Sequence, residues 1–155
     1  MTPAVTALKR AKIAFQIHEY AHDPSARSYG LEAAEKLGLN PDQVFKTLVV
    51  SLEGRRLGVA VIPVNQSLNL KQFAKICGVR KATLAEPASA ERATGYVMGG
   101  VSPLGQKKRL DTVIDQSAAE FDAVFVSGGR RGLDIEIAPQ DLAKLTAATI
   151  ATICA

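Results

Sequence analysis

Apolar positions recur along the chain at two spacings, near four residues and near two, and the switches between them divide it into elements. Thr2 stands where a helix N-cap would, with Pro3 at the first helical position. Val5, Leu8, Ala11 and Lys12 follow at helical spacing, which predicts a helix to about Ala14. Residues 15–20 alternate instead, with Phe15 and Ile17 on one face and Gln16, His18 and Tyr20 on the other, as a strand does. Residues 28–37 read as a helix closed by Gly38, and Asn40-Pro41 caps a short turn of helix ending near Val44.

Residues 46–52 and 57–64 are β-rich runs joined by Glu53-Gly54-Arg55-Arg56, a glycine-containing hairpin connection. Residues 69–77 form an amphipathic helix with Leu70, Phe73, Ala74 and Cys77 on one stripe, stopped by Gly78. A shorter helix covers 87–93 and ends at Gly95. Strands are expected at 96–98, 112–114, 123–126 and 133–137, and Pro139 opens a helix to about Leu145. Residues 146–155 fit helix or strand equally. Six or seven strands, joined by hairpins and by helices, with four or five helices, give a mixed α/β (α+β) single domain around a mixed sheet.

Composition adds bounds. A chain of 155 residues has room for one domain, and 47% hydrophobic content excludes disorder. Trp is absent and only eight residues are Phe or Tyr, so the core is mostly aliphatic. No stretch reaches the roughly 20 apolar residues that span a bilayer, and the N-terminus lacks the pattern of a secretory signal. Two cysteines and two histidines form neither a disulfide framework nor a metal cluster, so no metal or cofactor is expected and a reducing cytoplasm is. No Gly-x-Gly-x-x-Gly follows the first strand, which argues against a Rossmann domain, and no phosphate-binding P-loop motif is present.

Net charge is +4, but residues 54–109 carry ten Lys or Arg against two acids. Such a band either meets a polyanion or is a solvated surface, and charge alone does not decide.

Three places invite chemistry. Lys46 shares a strand face with Leu48 and Val50, as a snorkelling strand-end residue or as a cation in a cleft. The run from Gly95 to Gly105 has four glycines and a proline, then Gln106-Lys107-Lys108-Arg109; its backbone suits an anion nest or an oxyanion hole. Ser127-Gly128-Gly129-Arg130-Arg131-Gly132 is a second glycine turn, leading into a strand whose acids, Asp134 and Glu136, share one face. Two acids so placed read first as a solvated face. No serine elbow supports a Ser-His-Asp triad, and Cys77 lies on an apolar stripe.

Several stretches, in order, resemble the bacterial YbaK/EbsC family, the freestanding relatives of the editing domain in bacterial prolyl-tRNA synthetases. They are Thr2-Pro3-Ala4, Tyr20-Ala21-His22-Asp23, the run Glu32 to Gly38, and Val44-Phe45-Lys46-Thr47-Leu48. Thr94-Gly95-Tyr96-Val97, the run Gly99 to Lys108, and Val126-Ser127-Gly128-Gly129 with Arg131-Gly132 complete the set. The resemblance implies a twisted, barrel-like sheet and an aminoacyl-tRNA deacylase that clears cysteine from tRNA(Pro). Its partners would be mischarged Cys-tRNA(Pro) and prolyl-tRNA synthetase. Editing is needed because one methylene-scale difference gives a synthetase only about 1–3 kcal/mol of discrimination.

By the same resemblance Lys46 is the key lysine near the terminal phosphate and the scissile ester. Gly99 and Gly100 supply oxyanion amides, and Tyr20, Ser102, Pro103, Asp134, Gly128 and Gly129 bind substrate. The substrate's own thiol is implied to help expel the tRNA. The alternatives are a deacylase for alanine or proline, or a non-catalytic module for RNA ends or phosphates.

Overall fold

The computed structural model describes residues 1–26 and 28–155. Its elements are α1 (Pro3–Ala11), β1 (Gln16–Glu19), α2 (Tyr29–Leu37), β2 (Phe45–Leu52), β3 (Arg56–Pro63), α3 (Leu70–Ile76), β4 (Ala82–Leu84), α4 (Pro87–Thr94), β5 (Asp111–Asp115), β6 (Val124–Arg130), β7 (Leu133–Ile137), α5 (Pro139–Thr146) and β8 (Thr149–Ala151), with 3-10 turns at Pro41–Gln43 and Gln116–Glu120.

Among the described residues the strands form two open sheets and no closed barrel. One has the order β1-β7-β6, the other β4-β2-β3-β5-β8. This corrects the barrel expectation. The sheets pack against each other at β2 and β6, where the one strand-type pairing between them among the described residues is an isolated bridge, Val44 to Phe125. Beyond it the strands diverge and leave a cleft. The mixed sheet itself is as expected: β2 and β3 pair antiparallel, whereas β3–β5 and β5–β8 pair parallel.

β3 is buried on both faces, as a central strand must be. Val59 and Val61 face a core completed by Leu8 of α1 and by Val126, Ile135 and Leu142. Ala60 and Ile62 face a second core around Phe73 of α3, Val113 and Ile153. Fully burying Phe73 contributes about 1.5–3 kcal/mol. Thr2 caps α1 and Ser28 caps α2, each accepting a backbone N–H three residues on.

Several boundaries differ from the pattern reading. α1 stops at Ala11 because Lys12 turns left-handed. Residues 96–98 are not a strand: Tyr96 is buried as a loop anchor, its hydroxyl donating to the Leu104 carbonyl at 2.6 Å. Ile17 is 44% exposed, although its partner on β7 is the buried Ile135, because β1 is the edge strand of its sheet. β4 escaped notice at three residues, and the undecided C-terminus contains β8. Leu68 then pairs with Cys154, and Ile153 N–H donates to Asp115 at 3.0 Å. Among the described residues eight strands thus stand where six or seven were counted.

Candidate active site

The cleft between the sheets has a volume of about 340 Å³. Its floor is the first half of β2. The Val49 carbonyl accepts the Ala85 N–H at 3.0 Å on the outer side of that strand. The two-residue repeat puts the backbone groups of Thr47 on the same side, where β4 does not reach, since it pairs only with Val50, Ser51 and Leu52, while Phe45 is taken up by the bridge to β6. This bare strand edge lines the cleft. Thr47 Oγ1 is buried there with no hydrogen-bond partner among the described residues.

Lys46 projects into the cleft beside this edge, half-buried, with no carboxylate salt bridge among the described residues. Burial lowers its pKa. Facing it is the three-stranded sheet. Across β1, β7 and β6 the register aligns His18 with Asp134 and Asp134 with Ser127. Leu133, Ile135 and Ile137 enter the core, so Asp134 takes the opposite face, the one that closes the cleft. It is only 6% exposed, and burial pushes its carboxyl up to about 7, with His18 pulling the other way. The expectation that Asp134 and Glu136 lie on a solvated face is therefore wrong for Asp134. Glu136, farther along, pairs with His18 at 2.8 Å.

Tyr20 is fixed by its N–H, which donates to Gly132 at 3.0 Å. Burial and then the neighbouring Asp134 charge raise its pKa, so its hydroxyl stays a neutral donor. The segment after it is tied to α2. His22 Nδ1 meets Glu32 Oε1 at 2.7 Å, and Asp23 N–H donates to Glu32 Oε2 at 2.8 Å. Burial alone would raise the Glu32 pKa, but these bonds outweigh it and the net shift is downward.

The mouth of the cleft is built around Gly99. Residues 97–100 make a turn closed by Gly100 N–H on the Val97 carbonyl at 3.0 Å, with Gly99 left-handed at φ +88°. The Gly100 amide is thus spent inside the turn, which corrects its assignment to an oxyanion. Gly99 N–H has no partner among the described residues. Arg131 donates to the Met98 carbonyl at 2.9 Å and lies 4.1 Å over the Tyr29 ring. A Cβ at Gly99 would come within 2.6 Å of both the Tyr29 ring and Arg131 Nε. Gly99→Ala should therefore cost about 1–3 kcal/mol of stability, read as a lower melting temperature, and displace the Tyr29–Arg131 stack. A variant as stable as the parent would contradict this packing.

Of the expected residues, Lys46, Gly99, Tyr20 and Asp134 meet in one cleft. The others do not line it. Ser102 is fully buried; its Oγ accepts Leu104 N–H at 3.2 Å and its carbonyl accepts Gln106 at 3.0 Å, so it shapes the loop. Pro103 borders a separate hollow with Leu145 and Thr146. Gly128 accepts from Thr2 Oγ1 and packs on Leu133, and a Cβ at Gly129 would lie 2.8 Å from the Tyr96 ring. Those two glycines let the β6–β7 hairpin pass the start of α1. Sequence reasoning missed Tyr29, Arg131 and the bare edge at Thr47; the adjacency of Thr47 to Lys46 was the one available signal.

Residues 23–145 match the family described as the aminoacyl-tRNA editing domain. A protein of Enterococcus faecalis (strain ATCC 700802 / V583), named as a candidate Cys-tRNA(Pro)/Cys-tRNA(Cys) deacylase, EbsC, is 38% identical over 94% of this chain and 88% of its own. The multifunctional Ser/Thr-tRNA deacylase ProXp-y of Escherichia coli (strain K12) is 31% identical over 54% of this chain and 53% of its own. A crystal structure titled as a candidate trans-editing enzyme for prolyl tRNA synthetase superposes with a TM-score of 0.86 at 24% identity, covering 99% of this chain and 95% of that one. At that identity the likeness speaks to the fold.

Proposed function

This chain belongs to the aminoacyl-tRNA editing domain family, and from that premise we propose that it is a freestanding deacylase removing cysteine from mischarged tRNA(Pro). The observation that carries the reading is the meeting of Lys46, Tyr20, Asp134 and Gly99 around one cavity of about 340 Å³. That volume is at the small end for ligand pockets, suited to an aminoacyl ribose and not to a stem.

An ester between amino acid and ribose is labile, so positioning and charge stabilisation carry more of the catalysis than a strong nucleophile. The cleft is built that way. Neither Cys nor His lines it among the described residues. Cys154, near Lys46, is pushed up to about 12 by burial and by Asp115, and so stays a thiol. Lys46 holds the terminal phosphate or polarises the ester carbonyl. The Gly99 N–H and the Thr47 edge are the backbone donors for the developing oxyanion. Asp134, with the Tyr20 hydroxyl beside it, receives the α-ammonium. The carbonyl carbon is attacked by water or by the substrate's own thiol, and the ribose oxygen leaves with a proton. On this reading the setting is the cytoplasm, where protein synthesis runs, and prolyl-tRNA synthetase is the partner that delivers the tRNA.

The test is release of labelled amino acid from Cys-, Ala-, Pro-, Ser- and Thr-tRNA(Pro). Cysteine should leave fastest. Fastest release of serine or threonine would move the chain toward ProXp-y, release of alanine or proline toward other editing specificities, and no release would leave a binding module.

A further inference from the structure

The catalytic cleft has room for the charged end of a tRNA but not for what precedes it. The geometry points to a path for the rest: a basic groove on the same face of the five-stranded sheet, about 410 Å³ in volume, that receives the acceptor-stem backbone of the RNA. This inference rests on the editing reading above.

The groove lies farther along the same strand, past the buried Val49. On β2, Thr47 lines the cleft and Ser51 lines the groove, and the strand repeat places both on one face. Ser51 lies opposite Thr83 of β4 and Leu57 of β3, and both also line the groove. Four residues of strand separate Thr47 from Ser51, roughly 13 Å. A few nucleotides, at about 3.4 Å or more each, cover that distance.

Charge then selects the occupant. Arg55, Arg56, Arg92 and Lys108 line the groove against a single acid, Glu86. The β2–β3 turn, with Glu53 and Gly54 both left-handed, presents Arg55 and Arg56. Lys107 and Lys108 donate their N–H groups to Thr94 and Ala93, which holds the basic run against the end of α4. Arg56 is committed to Asp111. Arg55, Arg92 and Lys108 are exposed and meet no carboxylate among the described residues. A row of unpaired cations fits a row of phosphates. The uneven charge along the sequence thereby acquires a place in the fold.

The experiment compares the intact protein with an Arg55→Glu/Arg92→Glu/Lys108→Glu variant. The probes are an uncharged acceptor-stem RNA hairpin with a free 3′ end and, separately, cysteinyl-adenosine. Lys9→Glu, on the exposed side of α1, is the charge control. The triple variant should bind the hairpin at least about tenfold more weakly near 0.1 M salt. Its slope of log affinity against log salt should flatten by about 2–3. Cleavage of cysteinyl-adenosine should be unchanged, which also shows that the variant folds. Hairpin affinity and slope equal to the parent's would overturn the groove, as would an equal loss with Lys9→Glu. If the parent binds the hairpin through these residues but cleaves no ester, the groove stands and the editing reading falls.

Discussion

Lys46→Ala should lose deacylation by on the order of a hundred- to a thousandfold in kcat, the scale for removing one preorganised charge-stabilising group. The fold should survive, because the side chain is half-buried at the cleft and makes no carboxylate salt bridge among the described residues. The downward pKa shift from burial means that the folded protein holds this ammonium at some cost. Lys46→Met keeps the methylene packing and sheds the charge. Its melting temperature should match or exceed the parent's while turnover stays lost. Lys46→Arg should not restore it, since a planar guanidinium cannot replace a compact ammonium in a narrow cleft. Turnover at the parent's rate in Lys46→Ala would remove the residue from the mechanism.

Asp134→Asn should separate function from stability in the same way, with a pH signature. In the folded chain the carboxyl keeps its proton up to about 7, whereas unfolded it gives it up near 4. Between those values the folded state holds the extra proton, so stability falls as pH rises through the interval. The asparagine variant has no such charge to bury. Its stability should equal the parent's near pH 4 and exceed it above pH 7, by on the order of 2–4 kcal/mol. Urea unfolding at the two pH values measures this. Activity should go the other way. The parent's kcat/KM should carry an acid limb with an apparent pKa of about 7, rising as the carboxylate forms, and the limb should vanish with the variant. A limb that persists unchanged in Asp134→Asn would belong to the substrate or to another group.

Periodicity marked Lys46 but left a snorkelling strand end and a cleft cation both open, and the resemblance chose between them. A lysine aligned with Leu48 and Val50 is conspicuous on any strand, and the cleft lies where its charge needs it. Asp134 was harder. Alternation shows that it opposes Leu133 and Ile135, but not whether that face meets water or a second layer. The answer depends on β2 lying opposite, a contact between segments far apart in sequence. The glycine turns divided for a related reason. Gly99 and Gly129 have the same backbone freedom, yet one borders the ligand cavity and the other clears the Tyr96 ring. Glycine marks close approach without naming what approaches. Residues 96–98 look like a strand because Tyr96 must be buried, and burial does not specify extended pairing. The barrel expectation came from the resemblance, and no closure was readable from the residues, since it depends on where neighbouring strands stop.

β4 stops after three residues, and the outer main-chain edge at Thr47 is left without β4 beside it. Main-chain donors persist whatever side chains are attached. A change of side chain at position 47 therefore alters the chamber's polarity while leaving that main-chain edge in place. A lineage built on this plan can drift from one misacylated residue to another without passing through an inert ancestor.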